Sequence, residues 1–248
     1  MAGRKKPVRR RGLSTLPIPL PPAVPPPLRV AGLLCRGAWT VAWDRRRGLL
    51  LVLAGLAVAL LLLHPADHPF MRWLAGWRTA AVVDTAKLLS LLGELHLAPL
   101  GILLAVWGLA EWRARIDQRI PLGAAFLAML VSGVLVQLIK PVFGRPRPHL
   151  RVPDQLDWFN PQWDSFPSGH SMHWAALVGA LWMLSPRLAA GIAPLAATVM
   201  AARILVPRHY PTDVLAGATL GLICGLCFGQ AALELNRQLG RFPPRPRP

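Results

Sequence analysis

Negative charge is scarce in this sequence. Its 248 residues include 11 Asp and Glu against 28 Lys and Arg, which gives a formal net charge of +17. A site that holds divalent metal ions through several carboxylates is therefore not favoured. Cysteine is scarce as well, and the C-x-x-C pair Cys224 and Cys227 lies within an apolar segment rather than at the strand-to-helix junction of a redox motif. Because two cysteines do not make a zinc site, we interpret them as small packing residues.

Polar side chains are absent from the longest apolar run. Gly48–Leu63 contains none, and Trp43 precedes it at a distance that suits the membrane interface. A cleavable signal peptide is not favoured, because its charged leader would be nearly fifty residues long. Blocks of similar character predict an all-α, polytopic membrane helix bundle with about six spans. The predicted spans are Gly48–Leu63, Leu97–Ala110, Pro121–Ile139, Ser171–Leu184, Leu188–Val206 and Val214–Leu233.

The positive charges are distributed unevenly about these spans. In a six-span arrangement, nineteen Lys and Arg fall on one side of the membrane and nine on the other. The positive-inside rule places the side with nineteen, and with it both termini, in the cytoplasm. Anionic lipid headgroups account for the basic segments. The sequence therefore predicts a cell-membrane protein whose partner is the membrane and not a nucleic acid.

The chain divides into three predicted regions. Residues 1–47 are rich in Pro and Arg, which predicts an extended or disordered cytoplasmic arm, within which Val30–Trp43 is expected to lie along the membrane surface as a short helix. Residues 48–234 form the six-helix domain, and residues 235–248 form a basic cytoplasmic tail. After the first span, Phe70–Leu95 mixes tryptophans with charged residues. It predicts one or two interfacial helices on the outer face, with an ordinary connecting loop as the alternative.

Glycine recurs every four residues in the last predicted span, at Gly217, Gly221, Gly225 and Gly229. This spacing removes side chains from one helical face and permits very close contact between helices. Packing within the bundle is favoured over a dimer seam, because six spans must first bury each other. The oligomeric state stays open.

Two outer stretches hold the remaining polar clusters: Lys140–Pro167, between the third and fourth spans, and Arg203–Asp213, between the fifth and sixth. In the first stretch, Lys140 ends a span, and after six intervening residues it is followed by Arg147-Pro148. Prolines can hold Arg147 at a fixed reach, so the two cations could form a binding site. The alternative is a pair of cations that extend toward the membrane interface.

The sequence FPSGHSMHW predicts a turn followed by a helix. Ser168 is a good N-cap, and Gly169 permits a ligand to approach the backbone. Free N–H groups at a helix N-terminus bind anions, and His170 lies in that first turn. His173, three residues later, is interpreted as a packing or interface residue rather than a direct participant.

The sequence RILVPRHYPTD supplies a second histidine. Pro211 suits the first position of the sixth helix, which puts Asp213 in its first turn. Asp213 is expected to accept a hydrogen bond from one ring nitrogen of His209, which would leave the other nitrogen as a nucleophile or base. The alternative is a simple helix cap. Arg203 adds a third cation to the same face.

Three cations, helix-terminal N–H groups, two histidines and one carboxylate suit phosphoryl chemistry, which depends on positioning and charge stabilisation. The three cations would repel a divalent metal, and only Asp213 is well placed among the carboxylates. Asp154, Asp157 and Asp164 are interpreted as loop residues outside the site. The sequence therefore predicts a site without metal or cofactor.

In order and spacing, these residues resemble the type 2 phosphatidic acid phosphatase superfamily, which also includes the vanadium haloperoxidases. The family pattern is K-x6-R-P, then P-S-G-H, then S-R-x5-H-x3-D. Ala202 stands where the family usually has serine before the arginine, which affects a secondary hydrogen bond and not the charges. The resemblance covers roughly Leu97–Leu233. The matching residues are Lys140, Arg147-Pro148, Pro167-Ser168-Gly169-His170, Arg203, His209 and Asp213.

The resemblance implies a role for each matching residue. His209, oriented by Asp213, would attack phosphorus and form a phosphohistidine. His170 would protonate the leaving oxygen and then activate water. The phosphate oxygens would be held by Lys140, Arg147, Arg203 and the backbone at Ser168 and Gly169.

The resemblance also implies an integral-membrane lipid phosphatase, since the haloperoxidases are soluble and this chain is predicted to span the membrane. The uneven distribution of Lys and Arg predicts that its active site lies on the non-cytoplasmic face. Candidate substrates are phosphatidic acid, phosphatidylglycerol phosphate, polyprenyl pyrophosphates and lipid A phosphates. The loop Val152–Asp164, with Trp158, Phe159 and Trp163, is expected to help select among them. A non-catalytic lipid-phosphate binding or transport protein is the alternative. A degenerate site would support it, yet every expected acid, base and nucleophile is present.

Overall fold

A computed structural model describes residues 26–94, 97–112, 116–150, 152 and 156–240. Within these ranges the chain forms eight α-helices and one 3-10 turn, and no β-strand. The predicted all-α membrane bundle is confirmed. The first 25 residues of the predicted arm, the last eight of the predicted tail, and Asp154 lie outside the described residues. The helices are α1 (Pro27–Asp44), α2 (Arg46–Ala75), α3 (Ala80–Glu94), α4 (Leu97–Trp112), α5 (Ile116–Phe143), α6 (Gly169–Leu184), α7 (Pro186–Leu205) and α8 (Pro211–Gln238).

Four of the described helices are long and apolar enough to cross a membrane: α2, the segment Gln118–Phe143 of α5, α7 and α8. The predicted spans at α4 and α6 correspond to helices of 16 residues each. A helix of this length covers roughly 24 Å, less than a hydrocarbon core of about 30 Å. The count of six spans stays a prediction.

The centre of the bundle is α8, which packs against α1, α2, α5, α6 and α7. Its glycine face lies directly on the backbone of α6. A Cβ added at Gly221 would lie 2.1 Å from the carbonyl oxygen of Met172, and one at Gly225 would lie 2.1 Å from that of Ala176. The preferred interpretation, packing within the bundle, is confirmed. The glycines let α8 approach α6 at backbone distance, and this contact fixes the N-terminus of α6.

Helix α1 is present where a surface helix was predicted, and one of its faces packs into the bundle. Val30 and Leu34 are fully buried in the main apolar cluster, while Trp39 and Trp43 remain exposed. Gly37 lies close to the Cβ of Ala231 on α8. Part of the predicted 1–47 arm is therefore an ordered, packed helix.

Helix α2 continues beyond the predicted span end at Leu63. It extends to Ala75 and contains Pro65 and Pro69. The predicted interfacial segment Phe70–Leu95 therefore begins with the last turns of α2 and continues as α3, which packs against α7. The extended end of α2 and the helix α3 matter because each of them sends a polar side chain to the functional site.

Candidate active site

The three predicted clusters come together at one end of the bundle, where α5 and α7 end and α6 and α8 begin. The amide of Ser168 donates a hydrogen bond to the backbone carbonyl of Asp213 at 3.0 Å. A Cβ at Gly217 would lie 2.3 Å from the carbonyl oxygen of Ser168, so α8 supports the first turn of α6 directly. The close helix pair thus joins the second and third motifs.

Lys140 and Arg147 converge on one carboxylate, that of Asp164. Arg147 donates from Nε and Nη2 to the two oxygens at 2.7 Å each, and Lys140 donates from Nζ at 3.2 Å. Burial raises the pKa of Asp164, but the Arg147 hydrogen bond and the two positive charges outweigh it and lower the pKa to about 2. The interpretation of Asp164 as a residue outside the site was wrong, because the 156–165 loop folds back along Arg145 and brings its carboxylate to the cations.

The first turn of α6 has the predicted cap. The Ser168 hydroxyl accepts a hydrogen bond from the Ser171 amide at 3.4 Å and another from the Ser171 hydroxyl at 2.9 Å. Gly169 and His170 begin the helix, and both are partly exposed. The N–H group of Gly169 therefore stands at the open end of the helix, where an anion can approach. The predicted phosphate contact of the Ser168 N–H is not made available, because that group donates to the carbonyl of Asp213.

His173 has a packing role, as the sequence indicates. Its Nδ1 contacts the carbonyl oxygen of Gly169 at 2.6 Å. Its Nε2 would lie 2.7 Å from a Cβ at Gly133, which places the ring against the backbone of α5.

The buried ring of His209 contacts a backbone carbonyl. Its Nδ1 lies 2.8 Å from the carbonyl oxygen of Ser165. A carbonyl only accepts hydrogen bonds, so Nδ1 carries the proton and the lone pair of the neutral ring is on Nε2. This is the tautomer that a nucleophile requires.

Asp213 does not make the contact that its spacing predicts. Its Oδ2 lies 3.8 Å from Nδ1 of His209, beyond hydrogen-bond distance, although close enough for charge interaction. That oxygen instead accepts from the Tyr210 amide at 2.8 Å and from the Ser165 hydroxyl at 2.6 Å. The reason is local: Asp213 caps the start of α8, so its carboxylate is held by the cap. Ser165 lies between the two residues: its hydroxyl donates to Asp213, and its carbonyl accepts from His209.

The charge environment keeps His209 neutral. Burial lowers its pKa below the ordinary value of 6.5, the Asp213 carboxylate raises it in part, and the positive charges of Arg203 and Arg147 lower it further. Two of the predicted phosphate-binding cations therefore act on the same imidazole.

Arg203, in the last turn of α7, is buried and donates a hydrogen bond to the hydroxyl of Ser90 on α3. Its backbone carbonyl accepts from the amides of Arg208 and His209 at 3.1 and 3.2 Å. Residue 203 thus holds the turn that carries His209. The neighbouring Ala202, which stands where the family usually has serine, is buried and has no hydroxyl group to form a hydrogen bond.

Five residues of the site escape the sequence motifs: Asp67, Ser90, Asp164, Ser165 and Arg145. Arg145 lies between Lys140 and Arg147 in the sequence, yet it is buried and its Nη atoms contact Thr212, Asp213 and Asp67. One signal was available for Asp67. A carboxylate in a predominantly apolar helix is costly in a membrane unless it is paired, so it marks a functional position by default.

The side chains of the described residues offer little support for a metal-binding site. Within them, no three His, Cys, Asp or Glu side chains come together as a metal site would require. Asp164, Asp67 and Asp213 are each engaged by arginine instead.

Comparison with known proteins identifies relatives of this chain. The family model described as the PAP2 superfamily matches residues 121–236, which include every motif. A lipid A 1-phosphatase of Rhizobium etli is 31% identical over 162 residues, covering 59% of this chain and 70% of the relative. A second lipid A 1-phosphatase, of Rhizobium johnstonii, is 32% identical over 117 residues, covering 44% of this chain and 48% of that protein.

A solved structure has the same fold. The crystal structure of the first transmembrane PAP2 type phosphatidylglycerolphosphate phosphatase from Bacillus subtilis aligns with a TM-score of 0.56 at 23% identity. The match covers 79% of this chain and 98% of that one. At this level of identity the likeness supports the helical arrangement.

Proposed function

Because the chain belongs to the PAP2 superfamily, we propose that it removes phosphate from a membrane lipid through a phosphohistidine formed on His209, without a metal ion. The chain is a membrane lipid phosphatase, a phosphoric ester hydrolase. The observation that carries the proposed mechanism is the contact between Nδ1 of His209 and the Ser165 carbonyl, because it leaves the Nε2 lone pair for attack.

The proposed reaction has two steps. In the first, His209 Nε2 bonds to phosphorus while the bond to the lipid oxygen breaks, and His170 gives that oxygen a proton. In the second, His170 takes a proton from water, the water oxygen bonds to phosphorus, and the bond to His209 breaks to release inorganic phosphate. Lys140, Arg147 and Arg203 hold the phosphate oxygens together with the backbone N–H group of Gly169, and stabilise the charge of the transition state. The N–H group of Ser168 takes no part, because it donates to the carbonyl of Asp213.

An apolar cavity beside the site supports a lipid substrate. It has a volume of about 300 Å³, and its lining includes Leu60, Leu61, Phe143, Leu156 and Phe166, together with Arg145 and Thr212. Phe166 directly precedes the Pro167-Ser168 turn, so a lipid chain in this cavity would bring its phosphate to the N-terminus of α6.

The first candidate substrate is a lipid A type 1-phosphate, since both curated relatives are lipid A 1-phosphatases. Substrate choice is assigned to the loop that precedes α6. Its Trp158 and Phe159 are exposed, and the Trp158 ring packs against Phe143 at the rim of the cavity.

The experiment is phosphate release by the purified protein from four lipids: lipid A, phosphatidic acid, phosphatidylglycerol phosphate and a polyprenyl pyrophosphate. We expect release that survives a chelator and that vanadate inhibits by imitating the transferring phosphoryl group. Complete loss with chelator, restored by magnesium, would contradict the metal-free site. Lipid binding without release from any of the four would favour the non-catalytic binding protein.

A further inference from the structure

A buried ion-pair network joins α2 to the start of α8 behind His209. It consists of Asp67, Arg145, Thr212 and Asp213, and is called the Asp67–Arg145 brace below. All four residues are almost completely buried. The proposed reaction places none of the four on the phosphate, and only Asp213 already has a role, as the carboxylate that orients His209.

Arg145 is the centre of the brace. Its Nη1 donates to Oδ1 of Asp213 at 2.7 Å and to the Thr212 hydroxyl at 2.8 Å, while its Nη2 donates to Oδ2 of Asp67 at 2.9 Å. The guanidinium lies over the ring of Tyr210, with its carbon 4.0 Å from the ring centroid. A planar fork is needed to reach two carboxylates at once, and an ammonium group cannot reproduce it.

Asp67 is the counter-charge that α2 supplies. Besides Arg145, it accepts hydrogen bonds from the Thr212 amide at 3.2 Å and from the Thr212 hydroxyl. A buried carboxylate is tolerated only when paired and hydrogen-bonded, and every one of these donors belongs to the brace. Helix α2 otherwise exposes most of its apolar surface, and Asp67 is the charged side chain that it buries at the site.

The brace determines how Asp213 faces the nucleophile. With Oδ1 held by Arg145, Oδ2 is directed to the Tyr210 amide and the Ser165 hydroxyl. The carbonyl of Ser165 in turn accepts from His209. The orientation of the imidazole therefore depends on a chain of contacts that begins on α2.

We propose that Arg145 and Asp67 are positioning residues of the reaction, which hold Asp213 and Ser165 so that Nε2 of His209 is aligned for attack. This inference rests on the proposed function. It predicts a division of labour: Lys140, Arg147 and Arg203 bind phosphate, whereas the brace contributes to the rate of phosphoryl transfer and not to ground-state binding.

The test compares Asp67→Asn and Arg145→Lys with the control Asp84→Asn. Asp84 is an exposed carboxylate on α3, and in the described part of the chain it forms an ion pair with Lys87. Each purified variant is measured for kcat, KM and the affinity for inorganic phosphate, the reaction product, as a competitive inhibitor. A misalignment of about 1 Å can cost about 100-fold in rate. We therefore expect both brace variants to lose roughly 10- to 100-fold in kcat, with KM and the affinity for inorganic phosphate within about twofold of the wild type.

Several outcomes would overturn the inference. Wild-type kcat in Asp67→Asn would show that the counter-charge has no positioning role. Full activity in Arg145→Lys would show that the charge suffices without the fork. A parallel loss of kcat and phosphate affinity would indicate general damage to the site. If Asp67→Asn does not accumulate as folded protein, the rate and binding measurements on Arg145→Lys decide the test. A wild-type protein that releases no phosphate would instead contradict the proposed function.

Discussion

At the scale of single residues, the reactivity of His209 depends on what its two ring nitrogens face. One nitrogen is committed to the Ser165 carbonyl, and burial together with two nearby arginines keeps the ring neutral. The same arginines are proposed to bind phosphate, so the charge that attracts substrate also keeps the nucleophile unprotonated.

The first prediction concerns the pH dependence of His209. Protonation removes the Nε2 lone pair, so attack should slow as pH falls through the pKa of the folded site. Because that pKa is lowered, the acid limb should lie below 6.5, the ordinary histidine value. The measurement is single-turnover phosphoenzyme formation from an aryl phosphate, whose good leaving group needs little help from His170. An acid limb at or above 6.5 would contradict a neutral, shielded ring.

The second prediction concerns Asp164, whose carboxylate engages two proposed phosphate-binding cations. At neutral pH it is ionised, since its pKa is about 2. A phosphoryl group must compete with it for Arg147 and Lys140. Because Asp164 is partly exposed, Asp164→Asn should tighten vanadate binding by about 1 kcal/mol, or about fivefold.

The control for Asp164 is Asp157→Asn on the same loop, where the exposed carboxylate accepts a hydrogen bond from Asn160. It should leave vanadate affinity unchanged. Weaker vanadate binding in Asp164→Asn would mean that the carboxylate organises the cations and does not compete with substrate.

The sequence predicted the residues with a recognisable spacing, but not the contacts that orient them. Lys140, Arg147 and His209 were found from their motifs. The contact of His209 with the Ser165 carbonyl was not predictable, because it depends on how the 156–165 loop folds back along Arg145. Side-chain spacing carries no information about a competing backbone acceptor.

At the scale of elements, the site depends on the contact between α6 and α8. Glycines on α8 let its backbone meet that of α6, so the phosphate-binding turn and the His209–Asp213 segment share one rigid support. The helical period of the glycines was readable from the sequence. The extension of α2 past Leu63 was not, because Pro65 and Pro69 normally indicate a helix end.

The third prediction tests this contact. Gly221→Ala would place a Cβ 2.1 Å from a carbonyl oxygen of α6, so the helices must separate. We expect a loss of roughly 1–3 kcal/mol of stability, the usual cost of overpacking. Gly191→Ala on α7 is the matched control, since apart from its chain neighbours and the backbone of its own helix no atom lies within 4 Å of the added Cβ. It should be neutral or stabilise by up to about 1 kcal/mol. Equal thermal unfolding of both variants in detergent would contradict the close contact.

At the scale of the whole molecule, charge and hydrophobicity set the relation of the site to the membrane. Nineteen of the 28 basic residues fall on one side of the predicted six-span arrangement. All three motifs fall on the other side, which the positive-inside rule makes non-cytoplasmic. A lipid phosphate would then reach the site from the outer leaflet.

The fourth prediction tests this sidedness in a variant without the native Cys35, Cys224 and Cys227. Gln162→Cys, exposed on the loop before α6, should react with an impermeant thiol reagent in intact cells. Gln118→Cys, exposed at the opposite end of α5, should react only after the cells are opened. The reverse pattern of labelling would place the active site in the cytoplasm.

The fifth and most direct measurement traps the phosphorylated protein. Purified wild type and His209→Ala are mixed with a radiolabelled lipid phosphate and quenched within one turnover under alkaline conditions, which preserve phosphohistidine. The wild type should carry the label on the peptide that contains His209, and His209→Ala should carry none, because the Nε2 nucleophile is gone. A labelled His209→Ala protein, or a wild-type label on any other residue, would contradict His209 as the nucleophile.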